Sequence, residues 1–225
     1  MNPIGLRIID RDGIAVSDAV LDQYRTVGAA QISDCMGRLY GVVGLRPLHG
    51  GTSRIVGRAL TVKARPGDNL MIHKAISLAQ AGDVIVVDGG GDCNNALVGE
   101  LMMMDARRRG VVGFVIDGAV RDADVFAAND FGCFARGVSH KGPYKDGPGE
   151  INVAVSVGGQ VVQAGDVIVG DADGVVVIAA AHAEAVLALA LKKERDEAVS
   201  KEKIRSGTYE KPWMDRALAA LGAAK

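Results

Sequence analysis

The stretch from Asp83 to Asp122 constrains the fold most strongly, because it joins two apolar strands through a glycine-rich loop and a helix. The first strand leads into Gly89-Gly90-Gly91, and the second, Val111–Ile116, leads into a turn that ends at Arg121-Asp122. Short apolar runs bounded by turn residues are typical of strands buried in a sheet. The ends of both strands and the glycine loop can therefore face one cleft.

The helix between these strands can begin in either of two registers. Asn95 is a favourable N-cap for a helix from Ala96 to Arg109. A start near Gly99 is the alternative, and glycine favours it because glycine is costly inside a helix. In that second register, the backbone amides of residues 99–102 are unpaired and can bind a carboxylate. The sequence leaves both registers open.

A short motif occurs twice in the chain. Gly82–Asp88 reads GDVIVVD, and Gly165–Asp171 reads GDVIVGD. Each copy is a Gly-Asp turn that leads into a β-branched strand. Two copies are too few for a solenoid, and we interpret them as related strand units of one β-rich core.

Hydrophobic periodicity and turn residues predict the other elements. Helices are predicted over residues 17–36, with Ser17 as cap and a second short helix from Ala29 to Met36, and over 70–80 and 182–205. Further strands are predicted at 54–64, 131–136, 151–157, 161–162, 167–168 and 175–178. Few helices separate the strands after residue 150, so the sheet is not expected to be purely parallel. We expect one compact domain over residues 1–225, either α+β or layered α/β/α with two packed sheets and terminal helical extensions.

Composition argues against several classes of protein. A formal net charge of −1 and an aromatic content of 4% disfavour nucleic-acid binding. No apolar run reaches the ~20 residues that span a membrane, and the N-terminus has no signal-peptide core, so we expect a cytoplasmic protein. The widely spaced Cys35, Cys93 and Cys133 form no CxxC motif and are interpreted as buried, reduced thiols.

The Arg121-Asp122 pair offers two complementary binding groups. The planar guanidinium of Arg121 is suited to carboxylates and carbonyls. The Asp122 carboxylate is a hard oxygen ligand for Mg²⁺ or Mn²⁺, and magnesium often binds few protein ligands and several waters. A surface salt bridge is the alternative interpretation of the pair. Walker and GxSxG motifs are absent from the sequence, and Gly89-Gly90-Gly91 is only a weak signal for dinucleotide binding.

Glu100 together with Arg121-Asp122 resembles the acid-X20-Arg-Asp signature of the metal-dependent 4-hydroxy-4-methyl-2-oxoglutarate/4-carboxy-4-hydroxy-2-oxoadipate aldolases. Many members of that family carry aspartate where this chain has Glu100. The family shares its fold with the regulator of ribonuclease activity proteins. The resemblance covers about residues 20 to 207 and extends through Gly82–Asp88, Gly99–Met102, Val115–Gly118, Lys141–Pro143 and Gly170–Val175.

The resemblance implies a fold and an activity. The fold would be an α/β protein of the layered αββα sandwich type, like a phosphohistidine swivelling domain, assembled as a homotrimer or homohexamer. The activity would be that of a class II pyruvate aldolase of aromatic-compound degradation. Such an enzyme uses Mg²⁺ or Mn²⁺ to cleave small 2-oxo-4-hydroxy acids and also decarboxylates oxaloacetate.

The resemblance also implies roles for particular residues. Arg121, Asp122 and Glu100 would be catalytic, with Arg121 on the pyruvyl oxygens of the substrate and Asp122 on the metal. The substrate carboxylate would be bound by the backbone amides of Gly99, Glu100, Leu101 and Met102. The C-terminal helix and tail, about residues 182–225, would dock on a neighbouring subunit and bring an acid to its metal. Glu197 is the candidate for that acid, and Glu194 and Glu202 are the alternatives.

Two other functions remain as alternatives. A non-catalytic ribonuclease regulator would share the fold, but such regulators are shorter and lack the C-terminal extension that is present here. Phosphohistidine transfer through His73 or His140 is supported by analogy of fold alone.

Overall fold

The computed structural model describes residues 4–11, 16–50 and 54–223. Its helices are α1 Asp18–Tyr24, α2 Ala29–Cys35, α3 Leu70–Leu78, α4 Glu100–Arg108, α5 Ala123–Ala127, α6 Ala183–Arg205 and α7 Pro212–Ala220. Its strands are β1 Leu6–Ile8, β2 Gly41–Val42, β3 Arg46–Pro47, β4 Ile55–Ala64, β5 Asp83–Asp88, β6 Ala96–Val98, β7 Gly113–Val120, β8 Gly132–Val138, β9 Gly149–Ile151, β10 Val155–Val157, β11 Gln160–Val162, β12 Val167–Asp171 and β13 Gly174–Ile178.

One mixed sheet forms the centre of the described structure. Its main path runs β2-β13-β12-β4-β5-β7-β8-β3, and β10 and β11 form a separate hairpin. Strands β4, β5, β7 and β8 are parallel, whereas β12, β13 and β2 run antiparallel to their neighbours. The prediction that the sheet is not purely parallel is confirmed.

Alternating residues of the strands separate three hydrophobic cores. On β5, Ile85 and Val87 pack with α3 and α4, whereas Val84 and Val86 point into an inner core. On β12, Ile168 points into that same inner core, while Val167 and Val169 pack with α1, α2 and α6. The side chains of a strand alternate between its two faces. Each half of the sheet therefore packs against helices with one face and against the other half of the sheet with its other face.

The αββα sandwich is therefore confirmed, with one correction to the expectation of two separate sheets. Strand β4 pairs with β12 over residues 55–58 and with β5 over residues 58–63. It contributes Val56 to one outer core, Leu60 and Val62 to the other, and Ile55 and Ala59 to the core between them. One long strand thus belongs to both layers and makes them parts of a single curved sheet.

The two Gly-Asp motifs form the same turn in the two layers. The Asp83 Oδ2 accepts a hydrogen bond from the Gln80 amide at 2.8 Å, and the Asp166 Oδ2 accepts one from the Gln163 amide at 2.8 Å. Arg11 pairs with Asp83 at 2.6 Å. Burial raises the pKa of Asp166, against the opposing effect of its backbone hydrogen bonds.

Most predicted elements are confirmed, but the single strand over residues 151–157 and the burial of all three cysteines were wrong. Residues 151–157 do not form one strand, because Asn152 adopts a φ of 60° and separates β9, which pairs with β4, from β10, which pairs with β11. Cys133 is buried, but Cys93 is exposed and Cys35 is half-buried; all three are free thiols. None of the described helices is long and apolar enough to cross a membrane.

Candidate active site

Helix α4 begins at Glu100, so the register capped by Asn95 was wrong. Residues Ala96–Val98 form strand β6 beside β7, with Ala96 opposite Ala119. The Asn95 Nδ2 instead donates to the Gly142 carbonyl at 2.6 Å. Pairing with β7 thus competes successfully with helix formation, and Gly99 becomes the N-cap.

The end of β7 places Arg121 and Asp122 against the N-terminus of α4. The Arg121 amide donates to the Val98 carbonyl at 3.0 Å and continues the pairing with β6. Asp122 has a φ of 55° and a ψ of 43°, a left-handed conformation that costs free energy in a residue other than glycine. This turn directs the Asp122 carboxylate back toward α4, where its Oδ2 accepts from the Glu100 amide at 2.9 Å. The Arg121 Nε lies 3.7 Å from the same oxygen.

The close packing around residue 99 leaves no room for a side chain and therefore requires glycine. A Cβ atom at Gly99 would lie 2.5 Å from the Asp122 Oδ2 and 2.9 Å from the Arg121 Cγ. The backbone of Gly99 is extended, with a φ of −155°, which any residue can adopt. The absence of a side chain therefore lets the arginine and the aspartate approach the first turn of α4.

Two backbone amides of this turn remain available to a ligand. The Met103 amide makes the first intrahelical hydrogen bond, to the Gly99 carbonyl at 3.0 Å. Among the described residues, the amides of Leu101 and Met102 have no acceptor. Unpaired amides at a helix N-terminus, together with the helix dipole, favour an anion. The structure thus brings together the residues at 99–102, Arg121 and Asp122, whose functional roles stay predictions.

An open cleft of about 640 Å³ lies at this end of β7. It is lined by Arg121, Asp122, Ala123, Asp124, Val138, Ser139 and His140. The residues after β8, Ser139 and His140, were not predicted to belong to the site. The sequence signal that could have placed them there is that β7 and β8 are consecutive apolar strands. The two strands pair in parallel, with Val120 opposite Val138, so their carboxyl ends lie side by side.

The metal ligands available in the cleft suit only a cation that keeps most of its coordinated waters. No group of three or more His, Cys, Asp or Glu residues that could hold a metal ion occurs within residues 4–11, 16–50 and 54–223. The Asp122 Oδ2 is engaged by the Glu100 amide, which leaves the Oδ1 as a hard oxygen ligand. Magnesium binds in this way, with one or two carboxylates and several waters, so Asp122 fits the predicted ion.

The predicted acids of α6 are not brought to Asp122 within one chain. Helix α6 packs with α1 and α2 on one outer face of the sandwich, whereas α4 packs on the other. The Glu197 carboxylate accepts from the Gln31 Nε2 at 2.5 Å and lies 3.5 Å from the Lys193 Nζ. Glu202 pairs with Arg205 on its own helix at 3.4 Å, and Glu194 has no ion pair with any described residue.

Comparison with known proteins identifies the family. The family model RraA-like, described as Aldolase/RraA, matches residues 29–177. The chain belongs to the RraA-like family. A protein of Halalkalibacterium halodurans named "Putative 4-hydroxy-4-methyl-2-oxoglutarate aldolase" is 42% identical over 186 residues, which cover 81% of this chain and 88% of that protein.

Solved structures show the same RraA-like fold. An uncharacterized protein from Pseudomonas syringae pathovar tomato is 29% identical, with a TM-score of 0.77 over 88% of this chain and 94% of that one. The RNA-processing inhibitor RraA from Thermus thermophilis is 30% identical, with a TM-score of 0.61 over 67% of this chain and 92% of that one. The family resemblance inferred from the sequence is thereby confirmed.

Proposed function

We propose that this RraA-like protein is a class II aldolase. It would cleave 4-hydroxy-4-methyl-2-oxoglutarate to two molecules of pyruvate, and 4-carboxy-4-hydroxy-2-oxoadipate to pyruvate and oxaloacetate. The observation that carries the proposal is that Arg121 and Asp122, which line the cleft, contact the first turn of α4, where two amides have no acceptor among the described residues. The relative named as an aldolase, which is 42% identical, supports the same reaction class.

The first turn of α4 and the adjoining Arg121 suit the pyruvyl half of such a substrate. The amides of Leu101 and Met102 can bind its carboxylate, because they lack internal acceptors. The planar fork of Arg121 can bind the 2-oxo oxygen and remain there as negative charge develops. Charges held in position before the reaction stabilise a transition state without reorganisation at the moment of bond cleavage.

The reaction itself is a retro-aldol cleavage. The C3–C4 bond breaks, its electron pair delocalises over C3 and the 2-oxo oxygen, and the 4-hydroxyl loses its proton as C4 becomes a carbonyl. Glu100, which is exposed at the start of α4, can orient a water that takes this proton. Decarboxylation of oxaloacetate leaves the same pyruvate enolate, so one set of charges serves both reactions.

Asp122 would hold a divalent cation, Mg²⁺ or Mn²⁺, with waters completing its shell. Such an ion supplies Lewis-acid stabilisation of negative charge on the 2-oxo group. The Asp122 carboxylate also caps α4 through the Glu100 amide. The same side chain therefore positions both the ion and the amides that bind the substrate carboxylate.

The active protein would be a homotrimer or homohexamer with a shared site. Residues 201–223 are exposed throughout, and in α7 this includes Trp213 and Leu218. A nine-residue helix is marginal in water without packing, so the tail is suited to dock on a neighbouring subunit. Glu197 of that subunit would approach Asp122, with Glu194 and Glu202 as alternatives.

The shared site can be tested by complementation. Inactive Asp122→Asn and Glu197→Gln proteins should regain activity when mixed and reassembled, since some interfaces would carry both native residues. Subunit exchange is checked by native mass spectrometry. Full activity of Glu197→Gln alone would remove Glu197 from the site.

The aldolase proposal is tested by pyruvate release from both substrates, with and without Mg²⁺. The matched variant is Asp122→Asn, because asparagine tolerates the left-handed conformation of this residue while removing its charge. The expected result is metal-dependent release that falls by ~10²–10³ in the variant. Absence of pyruvate from either substrate with added Mg²⁺ or Mn²⁺ would refute the proposal.

A ribonuclease-inhibitor function is the second candidate. It is supported by the structural similarity to the RNA-processing inhibitor RraA of Thermus thermophilis. Purified protein would then slow RNA cleavage by a ribonuclease, and Asp122→Asn would inhibit as well as the native protein does. An effect on ribonuclease combined with no pyruvate release would favour this candidate over the aldolase.

A further inference from the structure

His140 is held rigidly beside the candidate catalytic residues. It lines the same cleft as Arg121 and Asp122. On one side of it, the Ser139 amide donates to the Val120 carbonyl at 2.9 Å, and on the other the Lys141 carbonyl accepts from the Ala96 amide at 2.8 Å. The backbone of His140 is therefore pinned to β7 and β6, the two strands that carry the site.

The imidazole of His140 is available to a ligand. The side chain is exposed and makes no hydrogen bond or ion pair with any residue that the structure describes. Its neighbour Ser139 is already engaged, since its hydroxyl donates to the Asn94 carbonyl at 2.7 Å and accepts from the Lys141 amide at 3.3 Å. An imidazole always offers at least one N–H donor, and a carboxylate only accepts.

The remaining cleft surface would face the leaving half of the substrate. With the pyruvyl half at Arg121 and the first turn of α4, the C4 half would extend along the rest of the cleft, which Asp124 and His140 line. In both proposed substrates C4 carries a carboxylate. Asp124 would repel that group, whereas an N–H of His140 would bind it.

We propose that His140 is a specificity-determining residue that binds the carboxylate on C4 of the substrate. The enzyme would then prefer 2-oxo-4-hydroxy acids with an anionic substituent on C4 to those with neutral substituents. This inference rests on the proposed aldolase function and adds to it the residue that would bind the C4 carboxylate.

The test compares two substrates that differ in this carboxylate. 4-Hydroxy-4-methyl-2-oxoglutarate carries it, and 4-hydroxy-2-oxopentanoate does not. His140→Ala should lose ~10-fold to 100-fold in kcat/KM on the first, mainly through KM, as expected for one hydrogen bond to a charged group. Its kcat/KM on the second, and the inhibition constant of pyruvate, should not change.

Two further variants separate this role from a structural one. His140→Gln retains an N–H donor and should recover part of the loss. His182→Ala changes an exposed histidine outside the cleft and should behave as the native protein does. A rise of the pyruvate inhibition constant in His140→Ala, matching its loss on the substrate, would overturn the assignment in favour of general damage to the site.

The outcomes also separate this inference from the proposed function. Native protein that releases no pyruvate from 4-hydroxy-4-methyl-2-oxoglutarate refutes the aldolase proposal and with it the role of His140. Native protein that cleaves this substrate, together with a His140→Ala variant of equal kcat/KM, overturns the inference alone. Equal native kcat/KM on the two substrates would likewise overturn it.

Discussion

Replacing Gly99 with alanine tests the geometry of the site without touching a functional group. The new Cβ would lie 2.5 Å from the Asp122 Oδ2, where an ordinary contact begins at 3.4 Å. The extended backbone at residue 99 accepts alanine, so the whole effect is the clash. Asp122 or the first turn of α4 must then move by roughly 1 Å, and a displacement of that size can cost ~10²-fold in rate.

The assay is kcat/KM for pyruvate release, measured with thermal unfolding of the same samples. Overpacking typically costs ~1–3 kcal/mol, and this position lies beside exposed side chains that can move, so we expect the lower end. A loss of ~10²-fold in kcat/KM with a small change in Tm is therefore the predicted result. The loss should include kcat, because Asp122 and the α4 amides would no longer be aligned with each other.

The matched control is Gly41→Ala. A Cβ at Gly41 would meet no atom of a described residue within 4 Å, and the backbone there is not left-handed, so both activity and Tm should be unchanged. Gly99→Ala protein with kcat/KM within about threefold of the native value, and with the Gly41→Ala control intact, would refute the reasoning. The close approach of Asp122 to α4 would then have no catalytic role.

Three other results are expected. EDTA should abolish pyruvate release and added Mg²⁺ or Mn²⁺ should restore it, since Asp122 offers hard oxygen; full activity in metal-free protein would contradict this. Arg121→Lys should lower kcat by ~10²–10³ with unchanged circular dichroism, because lysine lacks the guanidinium fork; near-native turnover would make Arg121 a surface ion-pair residue. Burial, and to a lesser extent the Lys145 charge, lowers the pKa of His73 from its ordinary value of 6.5. As pH falls below 6.5, the unfolded chain binds a proton at this residue more readily than the folded protein does, so the free energy of unfolding decreases. Lys145→Gln should raise the pKa of His73 in an NMR titration, and an unchanged pKa would exclude the charge as a cause.

Local sequence signals predicted much of the fold. Ser17 caps α1 as expected, with its hydroxyl accepting from the Val20 amide at 3.4 Å. The apolar run of β5 and the alternating run of β4 gave strands with nearly the predicted bounds. These signals succeed because capping, turn chemistry and side-chain periodicity act within a few residues of each other.

The site was predictable only in part. The Arg121-Asp122 pair and the amides at 99–102 could be singled out from residue chemistry and family resemblance. Ser139 and His140 could not be assigned to the cleft, because their place depends on which strands become neighbours. The αL conformation of Asp122, which aims its carboxylate at α4, has no signal in the sequence either.

The sequence by itself determined the strands, the turns and the groups available for chemistry, because these depend on local pattern and residue type. Tertiary structure decided the start of α4, since Asn95 and Ala96 suit a helix locally but Ala96 to Val98 gain backbone pairing with β7. It also decided that α6 and α4 lie on opposite faces of the sandwich, which separates Glu197 from Asp122 within one chain. Both outcomes depend on contacts between residues distant in sequence, whose free energy no local pattern encodes.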